Sequence, residues 1–529
     1  MKKTLALILC VALLATMFVM PVATAESDKP YAGTKLTYWV KFDEKAVGAL
    51  QSLNDSRYYD AIYEATGIEI EFIHPAAGNE SQELALLSAV PEEMPDIIET
   101  NWTAYAGGPS AAIEDGLIIT LNEYIEGGKT PNLKAILDAN VTIDKSIKTA
   151  DGEYYVFPFL RGTKTEGNGS LFTSGFFMRG DILKELNLEI PETIDEWYTV
   201  LSAVKKAHPD MIPMITRTEW MNQIFCSGYN NYWDYYVEDG VVKNGLIEDA
   251  HYEYLQTMAK WYAEGLLDPD YLTHKKANEG RTLMAAGKAF ATYDASSGGT
   301  SNIIPALLES GMIQAETDIV TTVPVTSEKG TYAKFAKMNG LYDASGSSVA
   351  ISTNCKNVDA AIWLLDWFYS EEGHNISCWG IEGESYTVVD GVPQYTDIIM
   401  NNPNGLSIAQ AQAIYVRPSN GPVVSDPQVG INLATYTAQK VGGDKWTHTV
   451  FGDYMYPAGA AIAAENSEDF ATITNNVKTY REECEAKWIT GKEPLTPEAW
   501  EAYKAQMEAY GISRAIQYKQ EAYDAFMGN

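Results

Sequence analysis

Apolar residues along this chain switch repeatedly between the two-residue period of a strand and the 3.6-residue period of a helix. Residues 35–40 (KLTYWV) read as a strand. Residues 58–66 read as a helix that Gly67 ends, glycine being the residue that takes a left-handed cap most readily. Residues 68–73 (IEIEFI) alternate as a second strand, 82–89 are helical, and 95–98 begin a third strand. Strand–helix–strand alternation with short links predicts a parallel sheet covered by helices. Ligands of such sheets bind at the carboxyl ends of the strands. Glu99, Thr100, Asn101 and Trp102, just past the third strand, therefore fall on a candidate binding rim.

After an Asp151-Gly152 turn, residues 154–158 (YYVFP) read as an extended crossover. A second α/β region spans about 169–345. In it the apolar run 176–178 leads into a short helix, a break at Pro191, and a helix opened by Thr193 and Glu196 at capping-box spacing. Ile194, Trp197, Leu201 and Val204 supply that helix's apolar face. A further helix is expected over 252–265, a strand in 287–294 (GKAFATYD), a short strand over 349–351 and a helix over 359–369. The aromatic-rich remainder ends in two helices, one started by Thr496-Pro497 and stopped at Gly511. This alternation, interrupted by extended crossovers, fits two α/β lobes joined by hinge strands. Composition does not separate that arrangement from one large α/β enzyme.

The chain is 46% hydrophobic and 11% aromatic, enough for a sizeable core, and its 71 acidic against 38 basic residues give a net charge of −33. Nucleic acid and anionic lipid are poor partners for that balance, because both need clustered Lys and Arg. Lys2 and Lys3, the apolar run 5–20 and Ala23-Thr24-Ala25 form an export signal with cleavage expected after Ala25. Residues 5–22 would also make a helix of about 27 Å, just able to span a bilayer. Cys10 is disfavoured as a lipid site, since Leu9 stands where a small residue is needed. Beyond the leader lie Cys226, Cys355, Cys378 and Cys484. An even count in an exported chain permits disulfides, with Cys355 and Cys378 the nearest pair; buried thiols fit equally well. Six histidines give no metal spacing, and there is no Gly-x-Ser-x-Gly elbow or phosphate loop. No cofactor and no metal is expected.

Several segments, taken in order, resemble family 1 extracellular solute-binding proteins, the ligand-capturing subunits of sugar ABC importers. They are the Arg179-Gly180-Asp181 helix start with Pro191, Thr193, Glu196 and Trp197; Pro95-Asp96-Ile97; Asp115-Gly116-Leu117 with Leu121; and the run 151–158. The run 261–270 (WYAEGLLDPD) also fits. Asp366-Trp367, the run 380–386 (GIEGESY), Asp390-Gly391, the run 488–492 (WITGK) and Trp500 are similar to the larger oligosaccharide-binding subgroup. Two departures stand out. A lipobox is absent, and Leu188-Glu189-Ile190 replaces the oxygen-rich calcium loop that some relatives carry.

The resemblance implies a periplasmic-binding-protein-like fold of type II-like topology, with lobe 1 formed by 26–158 plus about 347–400. Lobe 2 would take about 159–346 plus about 401–529. It further implies a monomer that holds a carbohydrate and docks on membrane permease subunits, at the extracellular face of the membrane or in the periplasm. A sugar site needs flat aromatic platforms and planar polar groups. The candidates are Asn101 and Trp102 at the third strand's end, Trp220 after Arg217, and Tyr293 with Asp294 before the small-residue loop 295–300. Trp379, Glu382 and Tyr386 cluster around glycines, and Arg417 and Trp446 complete the set. Arg179 is read as a structural salt-bridge partner. A secreted glycoside hydrolase, or a binding protein for a peptide or other polar solute, is the alternative.

Overall fold

A computed structural model describes residues 29–149, 151–164, 168–274, 277–342 and 347–528. The expected export signal and Cys10 lie outside these residues. Among the described residues no helix is long and apolar enough to cross a membrane.

Two four-stranded sheets organise the molecule. The first is built from β1 (Lys35–Val40), β2 (Glu69–Ile73) and β3 (Ile97–Thr100); the second from β4 (Ser174–Arg179), β5 (Ile212–Ile215), β6 (Ala289–Ala295) and β7 (Ile319–Val320). The chain then returns to the first sheet with β8 (Ser348–Ile351). The first sheet runs β8-β3-β1-β2, with β1 parallel to β2 and β3, and β8 antiparallel to β3. Helix Arg57–Thr66 links β1 to β2, ending at Gly67 with φ 72°, the left-handed cap expected from its sequence. The second sheet runs β5-β6-β4-β7; β5 is parallel to β6, while β4 is antiparallel to both β6 and β7. Helix Ile194–Ala207 carries the capping box of Thr193 and Glu196 and buries Trp197, Val200, Leu201 and Val204. Arg179 pairs with Asp181 through Nε at 2.8 Å and also donates to the Met312 carbonyl, a structural role as expected.

Each sheet has its own core. One cluster spans Leu36 to Leu160 and then Tyr342 to Phe368; another spans Phe176 to Val325 and resumes at Ile473 in the C-terminal helices. Three segments cross between the lobes side by side. Leu160 pairs antiparallel with Tyr342 and parallel with Val424, and its N–H donates to the Val423 carbonyl at 2.9 Å. Ser425 N–H returns to the Leu160 carbonyl at 2.7 Å, and Arg161 N–H reaches Leu341 at 2.8 Å. This is a three-stranded hinge.

The third crossing lies at 423–425, not near residue 400. Helix Ile408–Tyr415 packs on helix Arg57–Thr66 of the first lobe, and Ala411 and Val416 join a cluster around Trp379. The amphipathic pattern of a helix shows that it has an apolar face but not what covers that face; here helix Arg57–Thr66 and the Trp379 cluster do. The four cysteines Cys226, Cys355, Cys378 and Cys484 are buried and form no disulfide with one another.

Candidate functional site

The carboxyl end of β5 delivers Thr216, Arg217 and helix Thr218–Ile224; the carboxyl end of β6 delivers Tyr293 and Asp294. Because β5 and β6 are parallel, both ends lie on the same edge, and Thr216 Oγ1 ties them by donating to the Tyr293 carbonyl at 2.9 Å. Trp220 meets Tyr293 edge to face, ring centroids 5.5 Å apart at 87°, and Tyr293 meets Phe176 in the same way at 5.0 Å. The Tyr293 hydroxyl donates to the Ser174 carbonyl at 3.3 Å, and burial pushes its phenol above the ordinary tyrosine range.

Trp446 completes this group from the C-terminal part of the chain. Its ring lies edge to face with Phe177, and its Nε1 donates to Thr321 Oγ1 at 3.1 Å. It fits only because residue 175 is glycine: a Cβ there would stand 2.0 Å from the indole. Glycine within a strand often marks such a close approach. Tyr293, Trp446, Gln223 and Lys337 line a recess of about 20 Å³, close to the space of one water. Beside it the Arg217 guanidinium lies 3.7 Å from the centre of the Trp220 ring, and Lys337 Nζ lies 5.3 Å from the same point. Burial holds the Lys337 ammonium below the ordinary lysine value; Glu219 opposes that shift and Arg217 adds to it.

The other candidates are placed differently. Asp294 is buried and accepts two hydrogen bonds from Arg281, at 2.6 and 2.8 Å. Arg417 forks onto Glu99, 2.7 Å to each oxygen, and Glu99 also accepts from the Tyr38 hydroxyl at 2.7 Å. Burial opposes the Arg417 charge, but the Glu99 carboxylate outweighs it and holds the guanidinium above its ordinary range. Both are internal ion pairs rather than open ligand groups.

Trp379 is fully buried, donates from Nε1 to Asp426 Oδ2 at 3.0 Å, and packs against Tyr386 and Tyr395. Glu382 is exposed in the adjoining turn and Tyr386 is buried. That trio is the core of a small satellite cluster, so the glycines around it close a turn instead of presenting a platform. Trp102 is 1% exposed within the first-lobe core, and among the described residues nothing accepts from its Nε1. Trp102 shares its burial with Trp220, Tyr293 and Trp446, which are 5%, 8% and 3% exposed. Asn101 beside it is half-buried and caps the turn Trp102–Ala104 through Oδ1. The expected set thus divides: Trp220, Tyr293 and Trp446 come together at the second sheet, Asn101 stands at the corresponding edge of the first, Asp294 and Arg417 sit in ion pairs, Trp102, Trp379 and Tyr386 pack in cores, and Glu382 is exposed in a turn.

Sequence reasoning missed Gln223 and Lys337 and gave Arg217 no role. No spacing rule marks Lys337. Gly175 inside a strand-like run was a usable signal for Trp446. A groove of about 540 Å³ is lined by Tyr31, Thr34, Tyr124, Lys129 and Asp359 among others, and by none of the candidates. Thr34 immediately precedes β1, so this groove lies at the amino edge of the first sheet, away from every candidate.

Known proteins share this architecture. The HMO binding, ABC-transporter-associated solute-binding protein of Bifidobacterium longum infantis superposes with a TM-score of 0.70 at 19% identity, over 93% of this chain and 99% of that one. Among curated relatives, the fructooligosaccharide ABC transporter substrate-binding protein FusA of Streptococcus pneumoniae is 24% identical over 442 residues, 78% of this chain and 77% of that protein. The lipoprotein LipO of Bacillus subtilis is 24% identical over 413 residues, 74% of this chain and 75% of that protein. The profile of the family described as bacterial extracellular solute-binding protein matches residues 47–375, more than half of the chain, and the chain belongs to that family.

Proposed function

We propose that this protein is the extracellular solute-binding subunit of an ABC importer, capturing a sugar or oligosaccharide between two lobes and passing it to a membrane permease. The observation that carries the reading is the aromatic group of Trp220, Tyr293 and Trp446 at the carboxyl edge of the second sheet, in a molecule whose lobes are joined by three hinge segments. Ligand contacts made to both lobes shift an open–closed equilibrium toward closure. FusA, by its name a fructooligosaccharide binder, supports the choice of ligand class. A disaccharide of roughly 23 heavy atoms at about 0.3 kcal/mol each gives about 7 kcal/mol, in the micromolar range.

The protein acts without catalysis. A glycosidase needs two carboxyl groups free to act across a glycosidic bond. The buried carboxylates nearest the candidate edges, Glu99 and Asp294, are each held by an arginine fork. Export with cleavage after Ala25, a monomeric state and residence outside the cell membrane belong to the same reading.

Titration calorimetry against a panel of oligosaccharides and peptides, with product analysis after long incubation, tests it. Stoichiometric saccharide binding without turnover is expected. Release of reducing sugar, or binding of peptides alone, overturns the proposal.

A further inference from the structure

A saccharide stacks on a ring only where one face of that ring is open. Trp102, Trp220, Tyr293 and Trp446 are all buried, so an open face has to come from elsewhere on the two sheet edges. Phe42 supplies one. It stands two residues past the carboxyl end of β1, is partly exposed, and packs on the first-lobe core. Its backing is fixed. His74, the residue after β2, lies against it with ring centroids 5.1 Å apart at 56°. The Leu53 N–H donates to His74 Nε2 at 3.1 Å, so Nδ1 carries the proton that it donates to the Val40 carbonyl at 2.9 Å. Burial also holds the imidazole below the ordinary histidine value. Behind it the buried Phe72 ring lies 6° from parallel and 6.3 Å away. Phe42 is thus the outermost of a row of rings leading from the core to the carboxyl edge, on an uncharged support. Tyr105, also partly exposed past β3, leans on Trp102 instead and donates its hydroxyl to Asp115 at 3.1 Å.

A planar polar group stands at the same level of the sheet as Phe42. Val40 of β1 is in register with Glu99 of β3, so Phe42 and Asn101 each lie two positions beyond that pair. Asn101 Oδ1 accepts from the Thr103 N–H at 3.1 Å and from its hydroxyl at 2.7 Å. Among the described residues nothing accepts from Asn101 Nδ2, which leaves two N–H donors beside the ring. The cations flanking them are paired, Arg417 with Glu99 and Lys41 with Glu80. We propose that Phe42 is the first lobe's stacking platform for an uncharged sugar ring, with Asn101 donating from Nδ2 to a hydroxyl of the same sugar. The proposal rests on the saccharide reading above. It gives the first lobe a ligand contact that Trp102 does not provide, at the edge where ligands of such sheets bind.

Titration calorimetry on the full chain tests this. Neutral tri- and tetrasaccharides of fructose, glucose, xylose and mannose are screened beside uronic-acid oligosaccharides of the same lengths, and the tightest ligand is carried into the variants. That ligand is expected to be neutral. Phe42→Ala and Phe42→Leu should each weaken it about tenfold, because leucine keeps apolar bulk but has no flat face. Phe42→Tyr should bind within about threefold of the parent chain, and unchanged thermal unfolding of all three should show that the fold is intact. Asn101→Asp keeps the acceptor for Thr103 and loses the Nδ2 donors, so it should also weaken binding about tenfold; unchanged affinity removes Asn101 from the platform. An acidic ligand binding tightest, Phe42→Leu binding as well as the parent, or Phe42→Tyr failing to bind overturns this inference and leaves the saccharide reading standing. No saccharide binding by the parent chain overturns both.

Discussion

Each lobe holds a partly exposed arginine near the carboxyl edge of its sheet, and the two are treated in opposite ways. In the first lobe Arg417 is met by Glu99 in a two-pronged pair, with Tyr38 donating to the same carboxylate. In the second, Arg217 lies on the face of Trp220 beside Lys337, and its one ion-pair partner among the described residues is the exposed Glu219. The first arrangement is complete within the chain and joins residue 417 to the end of β3, holding a late segment of sequence onto the first lobe. The second rests on a ring contact and on a carboxylate open to solvent. Residue type is alike in the two cases, although Arg217 follows a strand and Arg417 a helix; the difference lies in whether a buried carboxylate meets it among the described residues. An arginine at a sheet edge is therefore judged by what the fold brings to it rather than by its place in the chain.

This contrast can be broken at several points. Arg417→Met leaves the Glu99 carboxylate, whose side chain is wholly buried, without its partner. It should cost about 3–5 kcal/mol in denaturant unfolding. A smaller loss would mean that the pair is not what fixes residues 401–422 to the first lobe. Gly175→Ala places a methyl group where the Trp446 indole lies. Overpacking of that kind costs about 1–3 kcal/mol, and the shifted ring should also weaken saccharide binding by calorimetry; intact affinity would remove Trp446 from the site.

His374 offers a pH test at the hinge. It lies 3.8 Å from Asp426, the residue that follows the third crossing. Burial works against the imidazolium, but contacts with Asp426 and Cys378 outweigh it and raise its pKa from an ordinary 6.5 to about 10. A group raised on folding contributes in full below its unfolded pKa and loses that contribution as pH climbs through the folded one. Stability should therefore decline between about pH 6.5 and 10, by about 1 kcal/mol for a partly exposed pair. His374→Gln should flatten that decline in unfolding measured at fixed ionic strength. Lys337→Met should have the smallest effect on stability, within about 0.5 kcal/mol, since it breaks no ion pair. A loss as large as that of Arg417→Met would show that Lys337 is structural and end the contrast.

Much of the fold was legible in the chain. Strand 35–40, the Gly67 stop, the Thr193–Glu196 capping box and the Thr496-Pro497 helix start all stand where local patterning put them. These features are set by contacts within a few residues, so sequence spacing suffices to find them. The site was legible only in part. Trp220, Tyr293 and Trp446 gather at one edge of the second sheet, whereas Trp102 and Trp379, equally aromatic and equally near strand ends or glycines, pack apart from them. Nothing in the neighbouring sequence distinguishes an indole that packs inward from one beside a recess. Arg417 and Asp294 likewise read as free charges until Glu99 and Arg281 are brought to them from far along the chain.

By itself the sequence determined the alternation of strands and helices, the existence of two α/β regions, and the family. Those follow from local periodicity and from short motifs that survive in order. Only the tertiary structure decided that the third crossing falls at 423–425, that the four cysteines form no disulfide with one another, and that Lys337 and Arg217 share one indole face. Each of these depends on which distant segments meet, and burial and charge pairing are properties of that meeting rather than of any residue alone.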